Sequence, residues 1–458
     1  MNFVDKDLKA VQEARVLMED AAEAKKTLAL FEQKQLDCIV DHMLDAIFPK
    51  LEQLTRQAVQ ETGYGCAKDE LLLCILLVKN LKNRFQGMNC VGILSQDEQK
   101  GVLEIGVPMG IVAAATPAVS PVAAVISAAT SAIKAGNAIV FTPHPKAAKV
   151  TAKAVEIMEE GALKAGLPQG ALSCTETAAK EGAMQLFAHP DTAIILDIGT
   201  PKLLEAASSA GRPVLYGGIA PGPVFIEKTA DVKQAAKSIV ESRSFNCGVG
   251  AGSEQYLVVD KVIAVQAKEE LIHCGAYFMT LEEQKKLTTL LGLASVSKDA
   301  DKAYIGKSAE WLSAKAGFSV PQGTKVLVSE QSYITDYNPY AKGLLCPILT
   351  FYIEEDWVHA CEKCIELLMG ESRGNTLTIH STDPQVIQQF AMKKPVGRIL
   401  INTPAVMGAM GITTNLFPTV ILGSVTTKQG ITADNVSPMN MIYRRKAAFG
   451  IRSFNPKD

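Results

Sequence analysis

The sequence predicts an α/β protein built on parallel sheets, and two observations carry the prediction. Short uninterrupted apolar runs, GIVAAATP, NAIVFTPHP and AIILDIG, recur between stretches of helical length and spacing. Strands apolar on both faces, alternating with helices, belong in a sheet covered on both sides. Length supplies the second observation. A chain of 458 residues, 48% hydrophobic and 21% charged, exceeds one small core and is too apolar to stay disordered, so two or three packed units are expected.

The elements follow in order. Residues 5–83 hold no proline except Pro49 and space apolar side chains three and four apart, as at Leu36, Ile39, Val40, Met43, Leu44 and Ile47, which predicts helices. From Met88 the texture changes. VGIL and GVLEIGV, parted by the polar SQDEQK, predict a β-hairpin over 91–94 and 102–107. GIVAAATP is then a buried strand, PVAAVISAATSAIKAG a small-residue helix ending at Gly136, and NAIVFTPHP a second buried strand. A helix over 146–166, the strand LSCTE, a helix over 179–188, the strand AIILDIG, a helix over 202–211 and the strands PVLYGG and PVFIEK complete a Rossmann-like layer over 106–228.

A second α/β series starts near Asp231. It runs through the helix DVKQAAKSIVESRSF, the strand EQYLVVD, the helix KVIAVQAKEELIHCG and the strand-like TKVLVSE and PILTFYIE. The helix DWVHACEKCIELLMG, NTLTIHS and GRILINTPA complete it, and a tail rich in Thr, Gly and Asn follows from Phe417. Boundaries are expected near 228 and 405.

Charge and composition narrow the function classes. Lys and Arg number 46 against 48 Asp and Glu, a net charge of −2, which excludes a general nucleic-acid binder. Ten cysteines in this length are ordinary usage for a reducing compartment. The N-terminus has no apolar signal core, and no run reaches the roughly 18 apolar residues of a membrane span. A cytoplasmic protein without membrane or nucleic-acid partners is expected.

Several motifs stand in one order along nearly the whole chain. They are TP-x-x-x-P after the strand at 110–117, KAGNAIVFTPHPKA, GLPQGAL at 166–172, KTADVKQA, SRSFN-x-G-x-x-x-x-SEQ at 242–255, AGFSVPQGTKVLV, the Cys346-Pro347 strand entry, RILINTPA and FPTVILG. The series resembles the CoA-acylating aldehyde dehydrogenases, the acetaldehyde and propionaldehyde enzymes often housed in bacterial microcompartments. The resemblance implies the aldehyde dehydrogenase fold. Residues 1–228 would form N-terminal helices, a hairpin and the Rossmann-like cofactor domain; 229–405 the catalytic-type α/β domain; and 406–458 a return to the cofactor domain and an oligomerisation tail. It also implies a homodimer or tetramer, NAD or NADP and CoA as cofactors, and a small aldehyde as substrate. A cysteine thiolate attacks the aldehyde, hydride leaves to the nicotinamide, and the thioester passes to CoA. A microcompartment lumen, its shell or an active paralogue would be the setting and partner.

The chain departs from this pattern at the site. The family reads S-K-T-F-D-N-G-x-x-C-A-S-E-Q, and ungapped alignment places Ala251 at the nucleophile position. A methyl group forms no thiohemiacetal. Cys247, four residues upstream, is the candidate substitute. An extended loop separates the two by about 10 Å and a helical turn by about 6 Å, against the roughly 3–3.5 Å that attack requires. A small packed thiol is the competing account of Cys247. Ser120 stands where the family's Asn donates to the oxyanion, and losing such a donor costs roughly 3 kcal/mol of transition-state stabilisation. Gly343 replaces the Glu expected at the nicotinamide ribose, and Asn375 replaces a His. In YGGIAPG, Gly218 is kept while Tyr216 and Ala220 replace glycines; VTTKQG stands for a Gly-rich segment. Several positions differ together, which favours divergence over one engineered change and leaves three functions open: an acylating enzyme, a silent partner or scaffold subunit, and a CoA- or dinucleotide-binding module.

The nucleotide-handling segments are closer to the family. Thr142, Pro143 and His144 follow a parallel strand at its carboxyl edge, where open α/β sheets bind ligands. The resemblance implies contact with the adenosine part of NAD or CoA; a rigid structural turn is the other account. Gly199 and Thr200 follow AIILDIG, where the family has its phosphate-binding helix start. Cys361-x-x-Cys364 with His359 lies within a predicted helix and has no second ligand pair, so no metal is expected.

Overall fold

The structure, a computed structural model, describes residues 5–218, 221–293, 303–334, 339–370, 374–424 and 430–452. It divides into two compact units, the first of Met1–Leu54, Cys74–Leu215 and Val436–Asp458, the second of Thr55–Leu73 and Tyr216–Asn435.

The chain opens in helices, as the apolar spacing predicts. Helix α1 (Lys6–Leu28) starts at Asp5, whose carboxylate accepts from the backbone N–H of Asp7 and Leu8. It buries a stripe of Ala10, Ala14, Met18, Ala21, Ala24 and Leu28. Helix α2 (Gln33–Ile47) buries the six predicted apolar residues. Pro49, lacking an amide donor, lies in a 3₁₀ turn before α3 (Leu51–Thr62), and α4 (Ala67–Phe85) follows. Strands β1 (Gly92–Asp97) and β2 (Val102–Pro108) pair antiparallel as the predicted hairpin.

The first parallel sheet comes from β3 (Ile111–Ala115), α5 (Pro121–Lys134), β4 (Ala138–Thr142), α6 (Ala148–Lys164), β5 (Leu172–Cys174), α7 (Lys180–Ala188), β6 (Thr192–Asp197), α8 (Pro201–Ser209) and β7 (Val214–Tyr216). Its strand order is β5-β4-β3-β6-β7. Every residue of β3 and β4 is buried, so the strands need apolar or small side chains on both faces. Helix α1 lies on this unit's body, with Ala10 against Gly182 of α7, where a larger side chain would collide.

In the second unit, β8 (Gly222–Ile226), α9 (Val232–Ser244), β9 (Glu254–Asp260), α10 (Ala264–His273), β10 (Ala276–Phe278), α11 (Leu281–Leu293), α12 (Ala309–Ala316), β11 (Val326–Glu330), β12 (Ile348–Glu354), α13 (Trp357–Met369), β13 (Thr376–His380), α14 (Pro384–Lys393), β14 (Arg398–Ile401) and α15 (Ala405–Ala409) follow. The seven strands run parallel in the order β10-β11-β12-β9-β8-β13-β14. The expectation that PVFIEK extends the first layer to 228 is corrected here: β8 pairs with β9 and β13, in the second unit's sheet. Last, β15 (Ile442–Ala448) returns to the first unit and pairs antiparallel with β2, so Arg444, Arg445 and Lys446 lie on the third strand of the hairpin sheet.

Two buried guanidiniums fix the loops of the second unit. Arg243, in the last turn of α9, donates to the carbonyls of Ile348 (2.9 Å) and Leu344 (2.8 Å) and to Ser253 Oγ (3.3 Å). Arg398 on β14 donates to the carbonyls of Asn375, Gly423 and Ala433 and to Thr376 Oγ1. Burial pulls both down to about 10, still charged at neutral pH. Glu254, at the start of β9, accepts from the Ala405 amide at 2.8 Å, while its Oε2 is buried without a partner. Burial raises its carboxyl to about 7, against a hydrogen bond with Ser242 that lowers it.

Two measurements check this account. Gly248 has φ +78, and an added Cβ would overlap the Cys346 carbonyl, so Gly248→Ala should cost about 2 kcal/mol or more in denaturant unfolding. Glu254 binds its proton more tightly folded than unfolded, so its stabilisation is complete below its ordinary value of 4.5 and is lost as pH rises through about 7. Glu254→Gln should flatten that part of the stability profile and gain on the order of 2–3 kcal/mol at about pH 8 relative to the parent.

Candidate functional site

The loop between α9 and β9 carries both residues expected at the nucleophile. Asn246 and Cys247 have φ of 51° and 54°, and Gly248 continues the left-handed run at 78°. Asn tolerates that region; for a cysteine it is strained. Asn246 is locked there: its Nδ2 donates to Glu70 Oε1 (2.6 Å), its backbone N–H donates to Asp69 Oδ2 (2.8 Å), and its Oδ1 accepts from the Cys66 amide (2.8 Å). The Cys247 thiol is half-buried beside these groups. Burial pushes it up to about 11, Cys66 and Asp69 add to the rise, and Lys307 opposes it. At neutral pH about one molecule in ten thousand holds the thiolate, the form that attacks carbonyls.

Ala251 has different neighbours. It is 8% exposed and packs in an apolar cluster with Leu400, Ala405, Ala409 and Leu422. The flanking glycines are pressed closely, Gly250 against Val406 and Gly252 against Ala409 and Leu422. Thr376 Oγ1 lies near Gly252, 3.4 Å from where a Cβ on that glycine would stand, and it donates to Asn375 Oδ1 (2.9 Å) and accepts from Arg398. Asn375, in place of the family's His, is spent on structure: its Nδ2 donates to the carbonyls of Gly218 (3.2 Å) and Leu422 (3.1 Å). Gly218 thus contributes a carbonyl anchor in the second unit. Ala220 and residues 425–429 of VTTKQG lie outside the described residues.

In the first unit, the expected binding residues sit at the carboxyl ends of β3, β4 and β6. Ser120 is the residue before α5 and is left-handed, φ 46 and ψ 48, with no capping bond from its side chain. That is a conformation Asn holds more easily than Ser. Thr142 ends β4 and its carbonyl accepts from the Thr116 amide. After Pro143, His144 accepts from the Lys146 amide through Nδ1 (3.1 Å), which leaves Nε2 as the protonated nitrogen of the neutral ring. Both accounts of this turn therefore have a footing, with one ring nitrogen serving the fold.

The third segment is where the site differs most from a phosphate cradle. Gly199 takes φ 71 to turn the chain from β6 into α8. Asp197, the last residue of β6, accepts from the Thr200 amide (2.7 Å) and from the Thr200 hydroxyl (2.5 Å) through one oxygen. Its Oδ2 is buried and unpartnered, and burial raises the carboxyl to about 7. A helix start binds phosphate with free amides and positive potential. Here a carboxyl oxygen already takes the amide and hydroxyl of Thr200, so those two donors are not free for a phosphate.

Asp197 went unremarked in the sequence, although an Asp three residues before a Thr at a strand end is a pattern that marks a side-chain-capped turn. Arg243 and Glu254 carry no such signal, because their partners are backbone groups far along the chain. Of the Cys/His trio on α13, His359 is exposed and bonded to Asp356 at 2.9 Å, while Cys361 and Cys364 are buried. Among the described residues no group of three or more His, Cys, Asp or Glu is placed to hold a metal.

Comparison with known proteins agrees with this architecture. The family model described as the aldehyde dehydrogenase family matches residues 5–290. A solved acetylating aldehyde dehydrogenase from Geobacillus thermoglucosidasius is similar with a TM-score of 0.93 and 36% identity, over 98% of this chain and 99% of that one. The bifunctional aldehyde-alcohol dehydrogenase AdhE of Escherichia coli is 31% identical over 96% of this chain, and the chain spans about half its length, 49%. The acetylating succinate-semialdehyde dehydrogenase of Clostridium kluyveri is 29% identical over 93% of both chains. With both sheets, the collinear motifs and these relatives in agreement, the chain belongs to the aldehyde dehydrogenase family, alongside its acylating members.

Proposed function

We propose that this chain is a catalytically silent member of the acylating aldehyde dehydrogenases, kept as a partner or scaffold subunit for an active paralogue. One observation carries the reading. Ala251, aligned with the family's nucleophile, is enclosed by Leu400, Ala405, Ala409 and Leu422. The Ala251 methyl offers neither a lone pair nor a proton acceptor, and loss of a nucleophile costs on the order of a million-fold in turnover. Asp197, by taking the Thr200 donors, weighs against NAD or NADP binding in the family's manner.

A surface supports the partner role. The sheet of β1, β2 and β15 exposes most of β1 and β15. Ile93 and Tyr443 on it, and Phe449 and Ile451 just beyond, stand 46–62% exposed. Exposed apolar groups on a sheet with free edges suit a second subunit, whether a copy of this chain or a paralogue. The setting would be the cytoplasm or a microcompartment lumen.

A second reading, an acylating enzyme that uses Cys247 with NAD or NADP and CoA, draws on the strained backbone at that residue. One set of assays separates the two. The purified chain, given acetaldehyde or propionaldehyde with CoA and NAD or NADP, should form no reduced nicotinamide or acyl-CoA above the protein-free control, and Cys247→Ala should change nothing. Turnover abolished by Cys247→Ala would establish the second reading instead. Co-expression with an active acylating paralogue should give mixed oligomers on size-exclusion chromatography; separate elution would remove the partner role.

A further inference from the structure

The Cys361-x-x-Cys364 motif on α13 has no part in the site above, and the structure gives it a different neighbour. Helices α13 and α14 share one apolar cluster that includes Cys361, Cys364, Leu367, Val386 and Phe390. Lys394, just after α14, is 9% exposed and lies over the Phe390 ring, 4.0 Å from its centre. Its Nζ comes to 2.6 Å from Sγ of Cys361, a residue only 6% exposed. Among the described residues no carboxylate pairs with this ammonium. Even an N–H···O bond, with its smaller acceptor, runs about 2.7–3.2 Å. A separation this short is one that a single bent bridging atom spans with ordinary bond lengths.

We propose that Cys361 and Lys394 form a reversible covalent bridge through one oxygen, S–O–N, with hydrogen peroxide as the oxidant. The ammonium first releases a proton to solvent. One thiol, one neutral amine and two molecules of hydrogen peroxide then give the bridge and three waters. The S–H bond and one N–H bond break, S–O and O–N bonds form, and sulfur and nitrogen each surrender two electrons to the peroxide. The sulfur enters through its sulfenic acid, the first step of thiol oxidation. Four electrons from two equivalents of dithiol reverse it, returning thiol, amine and one water. The bridge closes a loop between residues 33 apart in sequence and ties α13 to the end of α14.

The test uses the full chain, treated with hydrogen peroxide or with dithiothreitol, then digested and read by mass spectrometry. The oxidised sample should hold a peptide pair joining Cys361 to Lys394, heavier than its two free peptides by one oxygen less two hydrogens. Dithiothreitol, Cys361→Ser and Lys394→Arg should each abolish it. The bridged protein should also melt several degrees above the reduced one, as closing such a loop restricts the unfolded chain. Recovery of Cys361 only as free thiol, as sulfinic acid or as a disulfide with Cys364 would overturn the proposal. The parent chain's digest decides this even if a variant fails to fold.

Discussion

Buried guanidiniums bonded to backbone carbonyls organise the second unit. Arg243 ties the end of α9 to the entry of β12, and Arg398 gathers the start of β13 with residues 423 and 433. Each cation sits in a poorly solvating interior, where a missing acceptor is costly, so the carbonyl partners are held to narrow positions. The loop from Asn246 to Ser253 is strung between these clamps and the polar anchors of Glu70 and Asp69.

This separates scaffold from chemistry. Asn375 fills its pocket with two donated hydrogen bonds where an imidazole would have titrated, and Ala251 completes an apolar cluster. Ser120 and Cys247 keep left-handed backbones that suit other residue types better. None of these side chains is a partner of the two arginines, which bond backbone carbonyls, Ser253 and Thr376.

Much of the fold was legible from local pattern. The stripe on α2, the hairpin and the strands buried on both faces follow from spacing alone. The assignment of β8 was not, because a short apolar strand carries no mark of which sheet it will join, and its pairing with β9 and β13 is a long-range choice. Helices α11, α12, α14 and α15 escaped notice for a related reason: they are short or lack a clean apolar period. At the site, motif alignment pointed to Ala251, Ser120 and the β6 turn. It did not reveal that Asp197 would bend back onto Thr200, nor that the Cys247 thiol would lie in surroundings that keep it protonated.

The Asp197 turn makes the divergence hard to undo. One oxygen serves two donors of Thr200, so removing the carboxyl strands an amide and a hydroxyl together in a place with little water. Replacing Asp197 without leaving those donors unmet therefore demands a coordinated exchange at both positions. A change at Asp197 alone leaves two donors unmet, the kind of loss that costs stability in a buried place.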